Sequence, residues 1–464
     1  MDVWPQRTSV VLLCAVLLLC VYRAATQSFT IDESFTFLNY VDVPLADAFQ
    51  TYSANNHILQ SLLMRIFRDL LGKSELVLRI PTLIGCALFL TASYRITSLA
   101  LGHRWAQPLA LALMTLNPLV LDYQVAARGY GLALGLSWWS IYFVWSDLRE
   151  PNRGRLRWAG LCAGLSIASN LVFLIPLAAL GLLLLPLYAK RGELWNLIDG
   201  YAGPAAVICF VFLVIPLSKS QGEFYFGAKS LTDTVASLVG ESLRPLANVS
   251  PEAERWIIVW AVPLGFVWIC GAFLWRVVRG TGGLLPVLLM GTIAVSVLAW
   301  VAMHHFLGVV YPITRTAIYI LPLVGLTLAL GTATRLRFVS HSLYGLGLFL
   351  VAFYVLSLRT SYFAEWPSES GMDRLVRRLE KDAAGFHTKP VVTAGGSWDL
   401  EYSVRYYRAR YRLHWLHTFS ELERRSQTPD YYLLAPRDQS LVEKLHLKVI
   451  EKDDASGTLL ARRS

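Results

Sequence analysis

The chain has 464 residues, of which 55% are hydrophobic and only 16% charged. That balance excludes an ordinary soluble domain of this length, because the surplus apolar surface needs lipid around it. The formal charge of +10 does not point to nucleic acid: residues 359–464 hold 18 basic and 15 acidic side chains, so about +7 resides in the apolar part, where it bears on topology.

Apolar runs able to cross a hydrocarbon core of roughly 30 Å as helices predict spans at 8–25, 76–100, 105–121, 130–147, 158–170, 172–189, 200–218, 255–276, 284–303, 316–334 and 340–357, about eleven in all. The first follows Arg7 as a secretory signal would, but it is long for one. Val21-Tyr22-Arg23 offers no small-residue cleavage site, so a retained span is expected. The fifth and sixth spans meet at Asn170 and would merge if Asn170 were not a turn. Cys14, Cys20, Cys86, Cys162, Cys209 and Cys270 all fall inside predicted spans, leaving no disulfide or thiolate metal site outside them.

Positive side chains accumulate in loops that stay cytoplasmic. His103-Arg104, the arginines between 149 and 157, Lys190-Arg191, Arg276 with Arg279, and Arg335 with Arg337 fall on one side of an eleven-span count. The expected topology is a multi-pass inner-membrane protein with a cytoplasmic N-terminus and an extracytoplasmic C-terminal domain, divided at 1–357 and 358–464. The outer face then carries loops 26–75, 122–130, 219–254 and 304–315. Loop 26–75 is predicted to be ordered, with amphipathic helices at 34–40 and 57–71 lying along the interface.

Residues 370–464 alternate between helix and strand patterns: helices at 372–384, 398–408, 420–425 and 438–445, strands at 390–394, 411–415, 430–435 and 447–450. The alternation predicts a small α/β domain with a mainly parallel sheet. Ala394-Gly395-Gly396-Ser397, between a strand and a helix, could offer backbone amides to an anion or could simply be a structural turn.

Several short motifs recur in a telling order. Thr30-Ile31-Asp32-Glu33-Ser34-Phe35 follows the first span, and Asn55-Asn56-His57 opens the second interfacial helix. Leu78-Arg79-Ile80-Pro81, Ala127-Arg128-Gly129-Tyr130 and the Pro312 to Pro322 stretch around Arg315 come later. Together they resemble the GT-C superfamily of membrane glycosyltransferases, in the branch of the protein O-mannosyltransferases and the aminoarabinose transferases of lipid A. The resemblance covers roughly residues 1–357. It departs where Ile58-Leu59 stands in place of the proline pair usual after the basic residue. It implies a GT-C-like α-helical polytopic fold and transfer of a sugar, with inversion, from a polyprenyl-phosphate donor to a lipid, glycan or protein acceptor of the envelope. A polytopic transporter or flippase of a lipid-linked sugar is the alternative, although transporters tend to place charge at mid-membrane.

Such chemistry needs a carboxylate for the acceptor proton and cations for the phosphate leaving group. Asp32 is the first choice of base, then Glu33, then Asp122; Asp32 could instead cap a helix beginning near Ser34. Asp32 and Asp122 together could hold magnesium or manganese. Arg128 and Arg315 match phosphate with their forked donors, Arg79 less so because an interfacial arginine also snorkels to headgroups. His57, His304 and His305 are candidates for hydrogen bonds to phosphate or sugar. Tyr130 and Tyr311, like Tyr123, Trp300 and Tyr319, sit near span ends, where one or two could stack on sugar and the rest form an interfacial belt. Residues 223–226 are a candidate lid.

Overall fold

The computed structural model describes residues 3–48, 53–102, 104–220, 226–243, 283–334, 337–386, 391–418 and 428–463, with isolated positions between 252 and 271. Most of the predicted span 255–276, the basic positions His103, Arg276, Arg279 and Arg335, most of the candidate lid and the predicted helix 420–425 lie outside the described residues.

Each of the other predicted spans coincides with helix. Six helices among the described residues are long and apolar enough to cross a membrane: Trp4–Thr26, Glu75–Leu101, Leu171–Lys190, Leu194–Ser218, Leu284–Leu307 and Arg337–Leu356. The protein is therefore a multi-pass membrane protein. Ala106–Thr115 and Ile320–Thr332 are shorter apolar helices, and Tyr130–Arg149 and Arg153–Ser169 pack with them among the described residues.

Two junctions refine the sequence reading. The span expected at 105–121 is broken: Ala106–Thr115 ends, and Asn117 caps a new turn, Pro118–Tyr123, by accepting from the Leu119 and Val120 amides. Pro118 has no N–H for a continuous helix and fits the first position of a new one. Asn170 likewise separates two helices. Its backbone is extended, at φ −160° and ψ 118°, and its side chain accepts from the Val172 amide at 3.1 Å.

Contacts between successive loops divide the bundle into two ends. At one, Asp147 accepts from the Asn152 amide at 2.7 Å and from the Tyr188 hydroxyl, while Arg191 reaches the Leu148 carbonyl at 3.3 Å. This is the end of the described basic loops. The opposite end gathers the loops after Trp4–Thr26, Pro118–Tyr123, Leu284–Leu307 and Arg337–Leu356. Gln27, for instance, donates to the Thr360 carbonyl at 3.0 Å.

The C-terminal sheet has the order β2-β1-β3-β5-β4, with β1 Val392–Gly396, β2 Leu416–Thr418, β3 Tyr431–Leu434, β4 Leu447–Lys452 and β5 Leu459–Arg463. Pairings of β1 with β2 and β3 are parallel, whereas β5 runs antiparallel to both β3 and β4. The sheet is thus mixed rather than mainly parallel. The expected strand 411–415 is displaced because the Glu401–Tyr411 helix runs on into its first residue and Arg412, with φ 56°, then turns the chain. The strand resumes at Leu416. β3 is buried at every residue, as a central strand covered on both faces must be.

This domain does not stand apart from the bundle. Phe29 stacks on Tyr406 at 4.4 Å, its N–H donates to the Tyr407 hydroxyl at 3.0 Å, and Tyr406 donates to the Lys73 carbonyl at 2.8 Å. Phe29, Phe37, Met64 and Leu78 share one apolar core with Leu375, Leu379, Val392 and Leu433. The chain division near 357 therefore does not divide the packing.

The Gly395-Gly396-Ser397 turn is structural. Ser397 Oγ donates to Asp438 Oδ2 at 2.5 Å and accepts from the Ala435 amide at 2.9 Å, so a carboxylate already faces the turn where an anion would sit. Gly396 has φ 135°, and a Cβ there would lie 1.9 Å from the Leu433 carbonyl oxygen. Gly396→Ala is expected to destabilise the protein by about 1–3 kcal/mol through that strain, read as a lowered melting temperature of the detergent-solubilised chain. An unchanged melt would show that the turn relaxes.

Candidate active site

The site grows from one helix start. Thr30 is the cap of Ile31–Thr36: its hydroxyl accepts from the Glu33 amide at 3.3 Å while the Glu33 carboxylate accepts from the Thr30 amide at 2.9 Å. This reciprocal box corrects the expectation that Asp32 could be the cap. It places Asp32 inside the first turn, where its side chain is free to point outward.

Glu33 and Arg79 form a hub instead of a reactive pair. Arg79 Nε and Nη2 donate to Glu33 Oε1 and Oε2 at 2.9 and 2.7 Å, and the remaining donors go to the carbonyls of Ala24, Gln27 and Ser28. The Ala127 amide also donates to Glu33 at 2.7 Å. Both side chains have 0% exposure. Every polar atom is committed and no solvent or ligand reaches either group, so Glu33 as base and Arg79 as phosphate ligand are replaced by a structural role.

Asp122 is also committed elsewhere. Its Oδ1 accepts from Arg23 at 2.5 Å and its Oδ2 from the Ala364 amide at 2.8 Å. Asp32 faces two other guanidinium groups. The two carboxylates therefore do not form a common cation site, and no group of three or more His, Cys, Asp or Glu among the described residues is arranged to hold a metal. Magnesium or manganese does not fit this pair.

Asp32 Oδ2 lies 3.3 Å from Arg315 Nη1 and 3.6 Å from Arg128 Nη2, with its side chain 15% exposed. Residues separated by 283 positions of chain thus meet at one rim. Arg128 is buried and its Nη1 and Nη2 also donate to its surroundings: the Asp32 carbonyl at 3.2 Å, Thr36 Oγ1 at 2.9 Å and Asn55 Oδ1 at 2.6 Å. It orients Asp32 more than it offers itself to a ligand. The turn that delivers Arg128 ends at Gly129, whose φ of 72° suits glycine, and a Cβ there would sit 2.4 Å from the Ser169 carbonyl oxygen.

Arg315 is the more accessible cation, at 17% exposure, with Phe226 and Trp366 rings 5.7 and 5.9 Å away. It also contacts Glu365 at 3.3 Å. Glu365 accepts in addition from the Tyr123 hydroxyl and from Thr314 Oγ1 at 3.2 Å.

An aromatic wall backs the cluster. His57 meets Tyr130 edge-on at 5.4 Å, Tyr130 meets Tyr123 at 4.8 Å, and Tyr123 meets Trp366 at 5.8 Å. Burial, followed by the positive charges of Arg128 and Arg315, holds the His57 imidazole well below its ordinary pKa. It is neutral at neutral pH, a hydrogen-bonding group and not a third cation.

The remaining candidates, His304, His305 and Tyr311, contact one another in the segment that precedes Arg315. His304 stacks on Tyr311 at 4.4 Å with its Nδ1 3.0 Å from the Val309 carbonyl, and His305 meets His304 edge-on at 5.6 Å. Tyr311 exchanges two backbone hydrogen bonds with Ala228. These contacts shape the loop that presents Arg315, and no described contact ties either histidine to Asp32.

Sequence reasoning passed over Glu365 and Glu369. Glu369 is buried and accepts from the Ile31 amide beside Asp32. Burial, then the negative charges of Asp32 and Asp399, keep its carboxyl well above the usual range against the opposing Ile31 bond. The available signal was positional: these are the only acidic residues in 358–372, the segment directly after the last span.

No protein-family model matches the chain, and no curated protein matches its sequence. Solved structures do. ArnT from Cupriavidus metallidurans in the apo state is 12% identical with a TM-score of 0.56, and 97% of each chain is covered. The same protein bound to undecaprenyl phosphate gives a TM-score of 0.51 at 12% identity and the same coverage. The oligosaccharyltransferase of Archaeoglobus fulgidus, in complex with Zn and sulfate, gives 0.50 at 13% identity over 97% of this chain and 73% of its own. At these identities the likeness establishes the fold alone: the chain shares the fold of these proteins, through the C-terminal domain as well as the span region.

Proposed function

We propose that the protein transfers a sugar from a polyprenyl-phosphate donor to an envelope acceptor, with inversion at the anomeric carbon. The observation that carries this reading is Asp32, partly exposed and set between Arg128 and Arg315 at the bundle end opposite the described basic loops. ArnT, which shares the fold, has been seen with undecaprenyl phosphate bound, and this supports a lipid-linked donor here.

In the reaction, the acceptor hydroxyl gives its proton to Asp32 as its oxygen bonds to the anomeric carbon. The bond from that carbon to the phosphate oxygen breaks, and its electron pair leaves with the polyprenyl phosphate. Arg315 stabilises the charge that gathers on the departing phosphate. Arg128 holds Asp32 in place through the Asp32 carbonyl, Thr36 and Asn55. The leaving phosphate needs no proton, so the absence of a second free carboxylate in the hub is consistent with the chemistry.

Sidedness belongs to the same proposal. The loops bearing Arg104, Arg149 to Arg157 and Lys190-Arg191 stay cytoplasmic by the charge rule, so the Asp32 rim and the sheet domain face outward. The test is reconstitution of the purified protein with a panel of undecaprenyl-phosphate sugars and envelope acceptors. Release of undecaprenyl phosphate together with an inverted glycoside is expected. Retention of configuration, or no release from any donor, would contradict the proposal.

A further inference from the structure

The most unusual arrangement near Asp32 is a carboxylate held where an anionic ligand would be expected. Glu365 receives the Tyr123 hydroxyl, Thr314 Oγ1 at 3.2 Å and Arg315 Nη1 at 3.3 Å. Two hydroxyl groups and a guanidinium around one carboxylate, Tyr123 on Oε2 and Thr314 and Arg315 on Oε1, form a donor set suited to an oxyanion. The backbone is bent to make it: Thr314 has φ 42°, a left-handed conformation that a β-branched residue seldom adopts. Ser237 Oγ accepts from the Thr314 amide at 2.9 Å and steadies the bend. Strain of this kind persists where surrounding structure enforces it, and it marks functional positions.

Glu365 itself belongs to a different part of the chain. It sits in 357–371, the connector between the last helix and the sheet domain, and its neighbour Trp366 lies against both Tyr123 and Arg315. Its side chain is 18% exposed, so it is not locked into the core as Glu33 is. Arg315 stands between it and Asp32, 3.3 Å from each.

Building on the donor reading above, we infer that Tyr123, Thr314 and Arg315 are the seat for the phosphate of the lipid donor, a diester in the donor and the monoester of undecaprenyl phosphate once the sugar has left, and that Glu365 is an internal anion that this phosphate displaces. Phosphate and carboxylate compete for the same three donors. With phosphate seated on the Glu365 side of Arg315, the guanidinium separates it from Asp32 and leaves that carboxylate free for the acceptor. The competition lowers apparent donor affinity by the fraction of molecules in which the seat is open. It also keeps Arg315 paired while no donor is bound.

The test measures binding of undecaprenyl phosphate to the whole detergent-solubilised chain and to Glu365→Gln, Glu365→Asp and Arg315→Gln, with melting curves to confirm folding. Glu365→Gln is expected to bind on the order of tenfold tighter, as for a seat about one-tenth open in the parent. Glu365→Asp should also tighten, because its shorter carboxylate keeps the charge but reaches the three donors poorly. Arg315→Gln should weaken binding. Inorganic phosphate should follow the same order, since the seat reads the headgroup; an order seen with the lipid alone would assign the effect to the prenyl chain and overturn the inference. Parental affinity in Glu365→Gln would overturn it too. So would tightening in Glu365→Gln with none in Glu365→Asp, which signifies simple charge repulsion. In those last two cases the donor reading survives, whereas failure of parent and variants alike to bind undecaprenyl phosphate would remove both.

Discussion

Replacing Arg79 with Met, or Glu33 with Gln, is expected to cost about 3–5 kcal/mol of stability, because each change strands the other partner in a dry interior. The environment makes this loss larger than the pair's own net contribution. Arg79 and Glu33 have 0% exposure, and between them they tie down the carbonyls of Ala24, Gln27 and Ser28 and the amides of Thr30 and Ala127. Removing the guanidinium leaves a buried carboxylate and three unpaired carbonyls, each with a desolvation penalty. Removing the carboxylate charge leaves a buried cation. The double variant should recover part of the loss, since a neutral pair of similar volume leaves no charge stranded in the interior. Melting of the solubilised protein measures all three, and single variants that melt with the parent would show that water or a neighbour reaches the hub.

The hub also gives the two acids different surroundings. Asp32 and Glu33 are adjacent in sequence but face different environments, because the Thr30 cap fixes the phase of the first turn. One carboxylate is consumed by architecture so that the other is presented at the rim.

That division could not be read from Asp32-Glu33 alone. Two adjacent acids after a span are equivalent until the partner is known, and Arg79 lies 46 residues away at a span end, where snorkelling to headgroups is an equally good reading. Asp122 was misjudged for the same reason, its partner Arg23 being hidden in what hydropathy treats as one apolar run. What did come through was the order of motifs along the chain: Asp32, Arg128 and Arg315 were grouped by sidedness, and the structure brings their charged ends together. The spans were legible because lipid demands long apolar runs. Their interruptions at Asn117-Pro118 and Asn170 depend on capping by a side chain, to which average hydropathy is blind. In the sheet domain, β5 was missed because only three of its five residues are apolar, with Arg462 and Arg463 at its end. It forms by pairing with β3, far upstream in sequence, and it is the strand that makes the sheet mixed.

In the proposed reaction, Asp32 accepts the acceptor's proton at a rim where Arg315 stabilises the leaving phosphate. The most direct measurement compares Asp32→Asn with the parent for both transfer rate and binding of undecaprenyl phosphate. An amide keeps the shape of the side chain but does not serve as a base, so transfer should fall by about 10²–10⁴-fold. Lipid phosphate binding should hold or tighten, since a negative charge beside Arg315 has been removed. Transfer at the parental rate by a folded, lipid-binding Asp32→Asn protein would contradict the account.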